Sequence, residues 1–191
     1  DDVRVYNRAL TPEEMDGLGT GEAGPGGPMV PSIQVTSPSA SSVTNVWNPV
    51  INWGDSDECA YSWNNSTRID VACSNNGNDI PEPEEGENII LYIHAKYTGS
   101  EEFGINSRTF DYDTTAPTVN AGDNRQTNAS FTQSSAAAND GLSGIDSYAW
   151  TKQSGPGSVV FTDSNELNPE ISEVSLDGTY VLRLTVTDHA G

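Results

Sequence analysis

The sequence predicts an all-β chain: two tandem β-sandwiches joined by a short linker, with a strand-and-turn remnant ahead of them. Three observations carry this expectation. Short runs of alternating apolar and polar residues recur along the chain, separated by Gly, Pro, Asn and Asp roughly every dozen residues. Apolar residues make up only 34% of the 191 residues, which suits strands buried on one face. The chain nevertheless carries 4 Trp and 7 Tyr, more than a disordered acidic chain would hold.

Asp1 to Tyr6 alternates as a strand, and Thr11, Pro12 and Glu14 stand at the N-cap, first-turn and capping-box positions of a short helical turn. Residues 17–31 are rich in Gly and Pro and read as a linker. Residues 32–116 read as the first sandwich. Its expected strands are 32–36, 50–53, 59–63, 69–73, 89–97 and 109–113. Cys59, Tyr61 and Trp63 share a face of the third, and Leu91, Ile93, Ala95 and Tyr97 face the core from the fifth. An acidic, Pro-containing loop runs over 75–87, and its Glu82, Glu84, Glu85 and Glu87 read as a solvated run ahead of a metal site. Residues 117–191 form the second sandwich, with an opening strand at 119–123 and turns at 143–146 and 154–157. Its last strand runs from Val181 to Asp188, with Tyr180, Leu182, Leu184 and Val186 pointing inward.

Several phrases resemble known modules. Residues 1–16, with Asp1-Asp2-Val3-Arg4-Val5-Tyr6-Asn7-Arg8-Ala9-Leu10-Thr11-Pro12, resemble the closing strand and turn of a laminin G-like, concanavalin-type jelly roll. That resemblance implies a lectin-like body upstream. Residues 32–116 resemble a bacterial immunoglobulin-like repeat. The matching residues are Cys59, Tyr61, Ser62, Cys73, the Glu85-Gly86-Glu87-Asn88 turn and the exit Phe110-Asp111-Tyr112-Asp113-Thr114-Thr115-Ala116-Pro117. The sequence departs from that pattern after Ala95, where Lys96-Tyr97-Thr98-Gly99 replaces an Asp-bearing phrase. Residues 117–191 resemble the PKD type of immunoglobulin-like domain through Ser147-Tyr148-Ala149-Trp150, Gly155-Pro156-Gly157, Asp177-Gly178-Thr179-Tyr180 and Leu184-Thr185-Val186-Thr187-Asp188. The W-x-F-G-D-G run of that type is absent. The resemblances imply immunoglobulin-like sandwiches, with Trp150 at a core and Tyr180 as a tyrosine corner.

The net charge is -20, spread over the whole chain. Phosphate binding needs Lys and Arg to displace counterions, so nucleic acid is not an expected partner. An anionic membrane surface is disfavoured for the same reason, and no apolar run is long enough to insert. Cys59 and Cys73 close a short loop. No Lys or His lies near them in sequence to lower a thiol pKa, so a structural disulfide is expected ahead of free thiols or a redox or metal role. It would imply an extracellular or cell-surface location.

Calcium is the one cofactor the sequence leaves open. Asp140 and Asp146 flank a Gly-rich turn that offers hard oxygen donors. Asp111, Asp113 and Asp188 end strands where modules meet, and the alternation of a strand puts Asp111 and Asp113 on one face. Solvated strand ends and Asp-stabilised turns explain the same residues. His94 and His189 have no second ligand at zinc spacing, and no serine has an evident base, so no catalytic residue is expected. Trp47 and Tyr92 are candidate platforms for a sugar ring, or else partly buried edge aromatics. The leading functional reading is a non-catalytic spacer or adhesion segment whose partners are the adjacent domains of its own polypeptide. The second is a module binding glycans or surface proteins, with calcium.

Overall fold

A computed structural model describes residues 30–64, 66–172, 174 and 176–191. The laminin G-like remnant expected at 1–16 and nearly all of the 17–31 linker lie outside the described residues. Among the described residues the chain is all-β, with one 3-10 turn at Cys73–Asn75.

The strands are β1 (Gln34–Ser37), β2 (Val43–Thr44), β3 (Val50–Asn52), β4 (Glu58–Trp63), β5 (Ile69–Val71), β6 (Gly86–Lys96), β7 (Gly104–Tyr112), β8 (Thr118–Asn120), β9 (Phe131–Thr132), β10 (Ala137–Asn139), β11 (Ile145–Ser154), β12 (Val160–Phe161), β13 (Glu170–Ser172) and β14 (Val181–Asp188). The largest sheet has the order β2-β7-β6-β4-β5. β1 pairs with β3, β8 with β10 and β11 with β14, while β13 lies between β12 and β9. Two compact units divide the described chain. One holds residues 30–36, 49–80 and 92–107, and the other 37–48, 81–91 and 108–191. The long strands β6 and β7 run through both.

In the first unit the core gathers Ile33, Val35, Ile51, Trp53, Tyr61, Ile80, Ile93 and Ala95, all buried. Alternation explains most of it: Ile93 and Ala95 are wholly enclosed, while His94 and Lys96, which follow each of them, are half-exposed. β4 departs from this rule, because Ala60 and Ser62 are buried as well as Cys59 and Tyr61. Part of its outward cover is the His94 ring, 3.1 Å from the Ser62 hydroxyl. Tyr97 was expected in the core; the strand ends at Lys96. Tyr97 is half-buried and its carbonyl accepts the Ser100 N–H at 3.0 Å, opening a turn.

Cys59 and Cys73 are disulfide-bonded, with Cα atoms 5.3 Å apart. The bond ties β4 to the turn that follows β5. The chain beyond Cys73 then folds over Ile51, whose N–H donates to Asn76 at 2.9 Å. A Cβ on Gly77 would lie 2.9 Å from the Ile51 Cδ1, and its φ of +95° also favours glycine. Ile80, only 2% exposed, anchors the loop just ahead of the Glu82–Glu87 run.

In the second unit Leu91, Phe110 and Tyr112 are buried, and Trp47 stacks on Phe110 with ring centroids 5.9 Å apart. Further along, Ala136, Trp150 and Leu184 form a small core, with Tyr148, Phe161, Leu182 and Val186 packed against it. Trp150 and Leu184 face each other across β11 and β14. The Trp150 indole N–H donates to Leu167 at 3.2 Å. The Tyr180 hydroxyl donates to the Leu176 carbonyl at 2.7 Å and accepts the Leu176 N–H at 3.3 Å, which is the hydrogen bonding of a tyrosine corner. Gly155 makes room for that ring: a Cβ there would sit 2.5 Å from the Tyr180 Cδ1.

Reducing the disulfide frees a loop with a sequence separation of 14. The expected cost is about 3 kcal/mol from loop entropy. Urea denaturation with and without reductant, followed at each Trp, checks this; an unchanged midpoint would contradict it.

Candidate cation site and its surroundings

The last strands bring three carboxylates together. On β14 the inward series Leu184, Val186 continues by period two to Asp188, which is 8% exposed. β7 ends at Tyr112, so alternation stops there and Asp113 turns inward, 2% exposed. Asp140 follows β10, in the turn that leads to β11. One oxygen from each of Asp113, Asp140 and Asp188 lies within 4.8 Å of the others.

Backbone N–H groups hold all three. Asp113 accepts Thr115 at 3.0 Å on Oδ1 and Ser143 at 3.0 Å on Oδ2. Asp140 Oδ2 accepts Leu142 at 3.2 Å and Gly144 at 2.6 Å. Asp188 Oδ1 accepts Ala190 at 2.9 Å and Gly191 at 2.8 Å. Burial pushes the Asp113 carboxyl up, but the hydrogen bonds from Ser143 and Thr115 outweigh it, and its pKa lies below the ordinary 3.8. These contacts orient the carboxylates as outer hydrogen bonds orient metal ligands.

The two other candidate aspartates stand apart. Asp111 stays in the outward register of β7 and accepts the Asn88 N–H at 2.7 Å. The expectation that Asp111 and Asp113 share a face fails because only one of them is in the strand. Asp146 is exposed, beside the bulge between Ile145 and Ser147.

Glu85 belongs to the acidic run expected to be solvated. It is exposed, yet it accepts the Thr114 N–H at 2.8 Å, the Thr114 hydroxyl and the Thr115 hydroxyl at 2.9 Å. Those bonds hold its carboxyl below the ordinary 4.5, the Thr114 hydroxyl contributing most. Glu82 in the same run accepts the Tyr112 phenol. Burial first, and then Glu82, push that phenol up to about 12. These pairs join residues some 30 positions apart in sequence, so no local signal announces them.

The candidate aromatics have different surroundings. Tyr92 is half-buried on the outward side of β6 and stacks on His94, centroids 6.4 Å apart. On the same side the Arg68 guanidinium lies 3.8 Å from the Phe103 ring centre, and Lys96 pairs with Glu58 at 3.0 Å. Burial, then Arg68, holds His94 below its ordinary 6.5. The Ser62–His94 pair escaped sequence reading, but Ser62 is 3% exposed, which closes its hydroxyl to a substrate. Trp47 lines a small cleft with Ser37, Ser39, Ser42, Thr44 and Asn48.

Residues 121–191 match the family model of the K319L-like PKD domain. The match covers the Trp150 core, the Tyr180 corner and two of the three clustered aspartates. Over these residues the chain is similar to a β-sandwich domain of an extracellular type. No curated protein and no solved structure matches the chain. Among the described residues no helix is long and apolar enough to cross a membrane.

The Glu85 clasp has a pH signature. A carboxyl depressed by folding contributes stability above its unfolded value, near 4.5, and loses it as pH falls through the lower folded value. Glu85→Gln is expected to flatten the urea midpoint against pH below that value. An acid limb identical to that of the unsubstituted protein would refute the clasp.

Proposed function

We propose that the chain is a non-catalytic spacer segment of a larger secreted or cell-surface protein, holding neighbouring domains in place. The observation that carries this reading is the pinning of residues 113–115. The side chains of Thr114 and Thr115 are held by Glu85, while Asp113 takes N–H groups from Thr115 and Ser143. A connection fixed on both sides transmits orientation where a Gly/Ser-type linker would not. The PKD-like match and the Cys59–Cys73 disulfide support an oxidising, extracellular setting.

Calcium belongs to this proposal. Two oxygens on one calcium ion lie at most about 5 Å apart, since each bond is about 2.3–2.6 Å, and the three carboxylates meet that limit at 4.8 Å. Their donors are hard oxygens, and three converging anions favour a divalent cation. Asp140 Oδ1 and Asp188 Oδ2 are not occupied by the backbone donors that hold their partner oxygens. Asp113, Asp140 and Asp188 would hold the ion, which would cross-link the end of β7 to the two loops.

Calorimetric titration with calcium is expected to give saturable binding and a higher melting temperature, both lost in Asp188→Asn. Absence of heat and of any shift would remove calcium from the proposal. The spacer reading has its own check in backbone relaxation. Residues 113–118 should show order parameters of about 0.85, as in the strands, and values below about 0.6 would sink it.

A further inference from the structure

We propose that the Trp47 cleft binds a neutral saccharide ring, a site independent of the spacer reading and of the clustered aspartates. The cleft has a volume of about 210 Å³ and lies in the segment from Ser37 to Asn48. Its lining is unusual for this chain. The protein carries a net charge of -20, yet no lining residue is ionisable. Four hydroxyls line it, from Ser37, Ser39, Ser42 and Thr44, together with the Asn48 amide and the Trp47 indole.

Each part of the lining narrows the ligand. A hydroxyl both donates and accepts, as sugar hydroxyls do. The Ser42 and Thr44 hydroxyls are oriented by bonds to the Ser39 and Val46 carbonyls, at 2.9 and 3.1 Å. Each keeps a lone pair to accept from a ligand. A purely apolar ligand would take water from the remaining acceptor positions and offer no donor in return. An anion finds no countercharge in the lining and is repelled by the rest of the chain. A neutral, polyhydroxylated ring satisfies every one of these conditions.

Trp47 supplies the apolar complement. The C–H face of a sugar ring is weakly positive, and the face of an indole weakly negative. Trp47 is half-exposed and held in position from below. Phe110 stacks with it at 5.9 Å and an interplanar angle of 21°, and Tyr112 meets it edge-on at 6.5 Å. Both supports are buried, at 1% and 2% exposure. A platform already fixed by packing loses little freedom when a ligand arrives. The small volume admits about one ring at a time, so binding is expected at a Kd of about 1 mM, corresponding to roughly 4 kcal/mol.

The test uses the full chain and NMR titration with neutral hexamers of β-1,4-glucose, β-1,3-glucose, β-1,4-mannose and β-1,4-xylose, with hexagalacturonate as the anionic arm. At least one neutral probe should give saturable shifts at the Trp47 indole and across residues 37–48, and the anionic probe should give none. Trp47→Ala should abolish binding. Ser39→Glu changes an exposed side chain at the cleft wall and should weaken binding about tenfold or more without moving the melting temperature. It keeps the test decisive where Trp47→Ala perturbs packing on Phe110. No saturable shift with any neutral probe, shifts centred elsewhere, equal binding of hexagalacturonate, or full binding by Ser39→Glu would each overturn the proposal.

Discussion

The Asp113 carboxylate takes backbone N–H groups from Thr115 and Ser143, and its own N–H goes to the Thr44 carbonyl at 3.1 Å. One buried residue thus serves three places: its backbone N–H the short strand β2, and its carboxylate the stretch leaving β7 and the turn before β11. Burial alone would make a carboxylate costly there. Hydrogen bonds from the Ser143 side chain first, and then from the Thr115 and Ser143 N–H groups, outweigh that cost, which is why its pKa lies below rather than above the ordinary value. Removing the carboxylate would leave both N–H groups to find other partners.

The neighbouring aspartates follow from the same economy of polar groups. Asp140 and Asp188 each gather N–H groups from the residues just after them. Such Asp-stabilised turns are local and need no ion. What is not local is their convergence. Two self-sufficient turns and the residue just past β7 place carboxylate oxygens within 4.8 Å. Mutual repulsion at that distance is the physical ground for the calcium proposal, and the hydrogen-bonded turns explain how the cluster stands without the ion.

The cores are thin, and single residues carry much of them. In the PKD-like stretch the enclosed apolar side chains among the described residues are few, chiefly Ala136, Trp150, Pro169, Ile171 and Leu184. Their order depends on features that tie loops to strands: the Trp150 indole bond to Leu167, the Tyr180 bonds to Leu176, and the Gly155 backbone against the Tyr180 ring. In the other unit the Cys59–Cys73 bond plays that part. Small sandwiches bury too little apolar surface to rely on it alone, so directional bonds at loop bases matter more.

The sequence alone determined the strands with strong period-two patterns. β6 with Leu91, Ile93 and Ala95, and β14 with Leu184 and Val186, were legible because side-chain direction alternates regardless of what the strand packs against. It also determined the all-β class, the tyrosine corner and the pairing of the two cysteines. The two-residue strand β2, the early start of β7 at Gly104 and the burial of Ile80 were not legible, because pairing across the sheet and packing of a loop on Ile51 created them. The same division holds for the site. Aspartates at strand and turn ends could be named in advance, but only tertiary structure separated Asp113, Asp140 and Asp188 from Asp111 and Asp146. Where a strand stops, alternation stops. Asp111, within β7, points outward, while Asp113, two residues on and just past the strand's end at Tyr112, turns into the cluster.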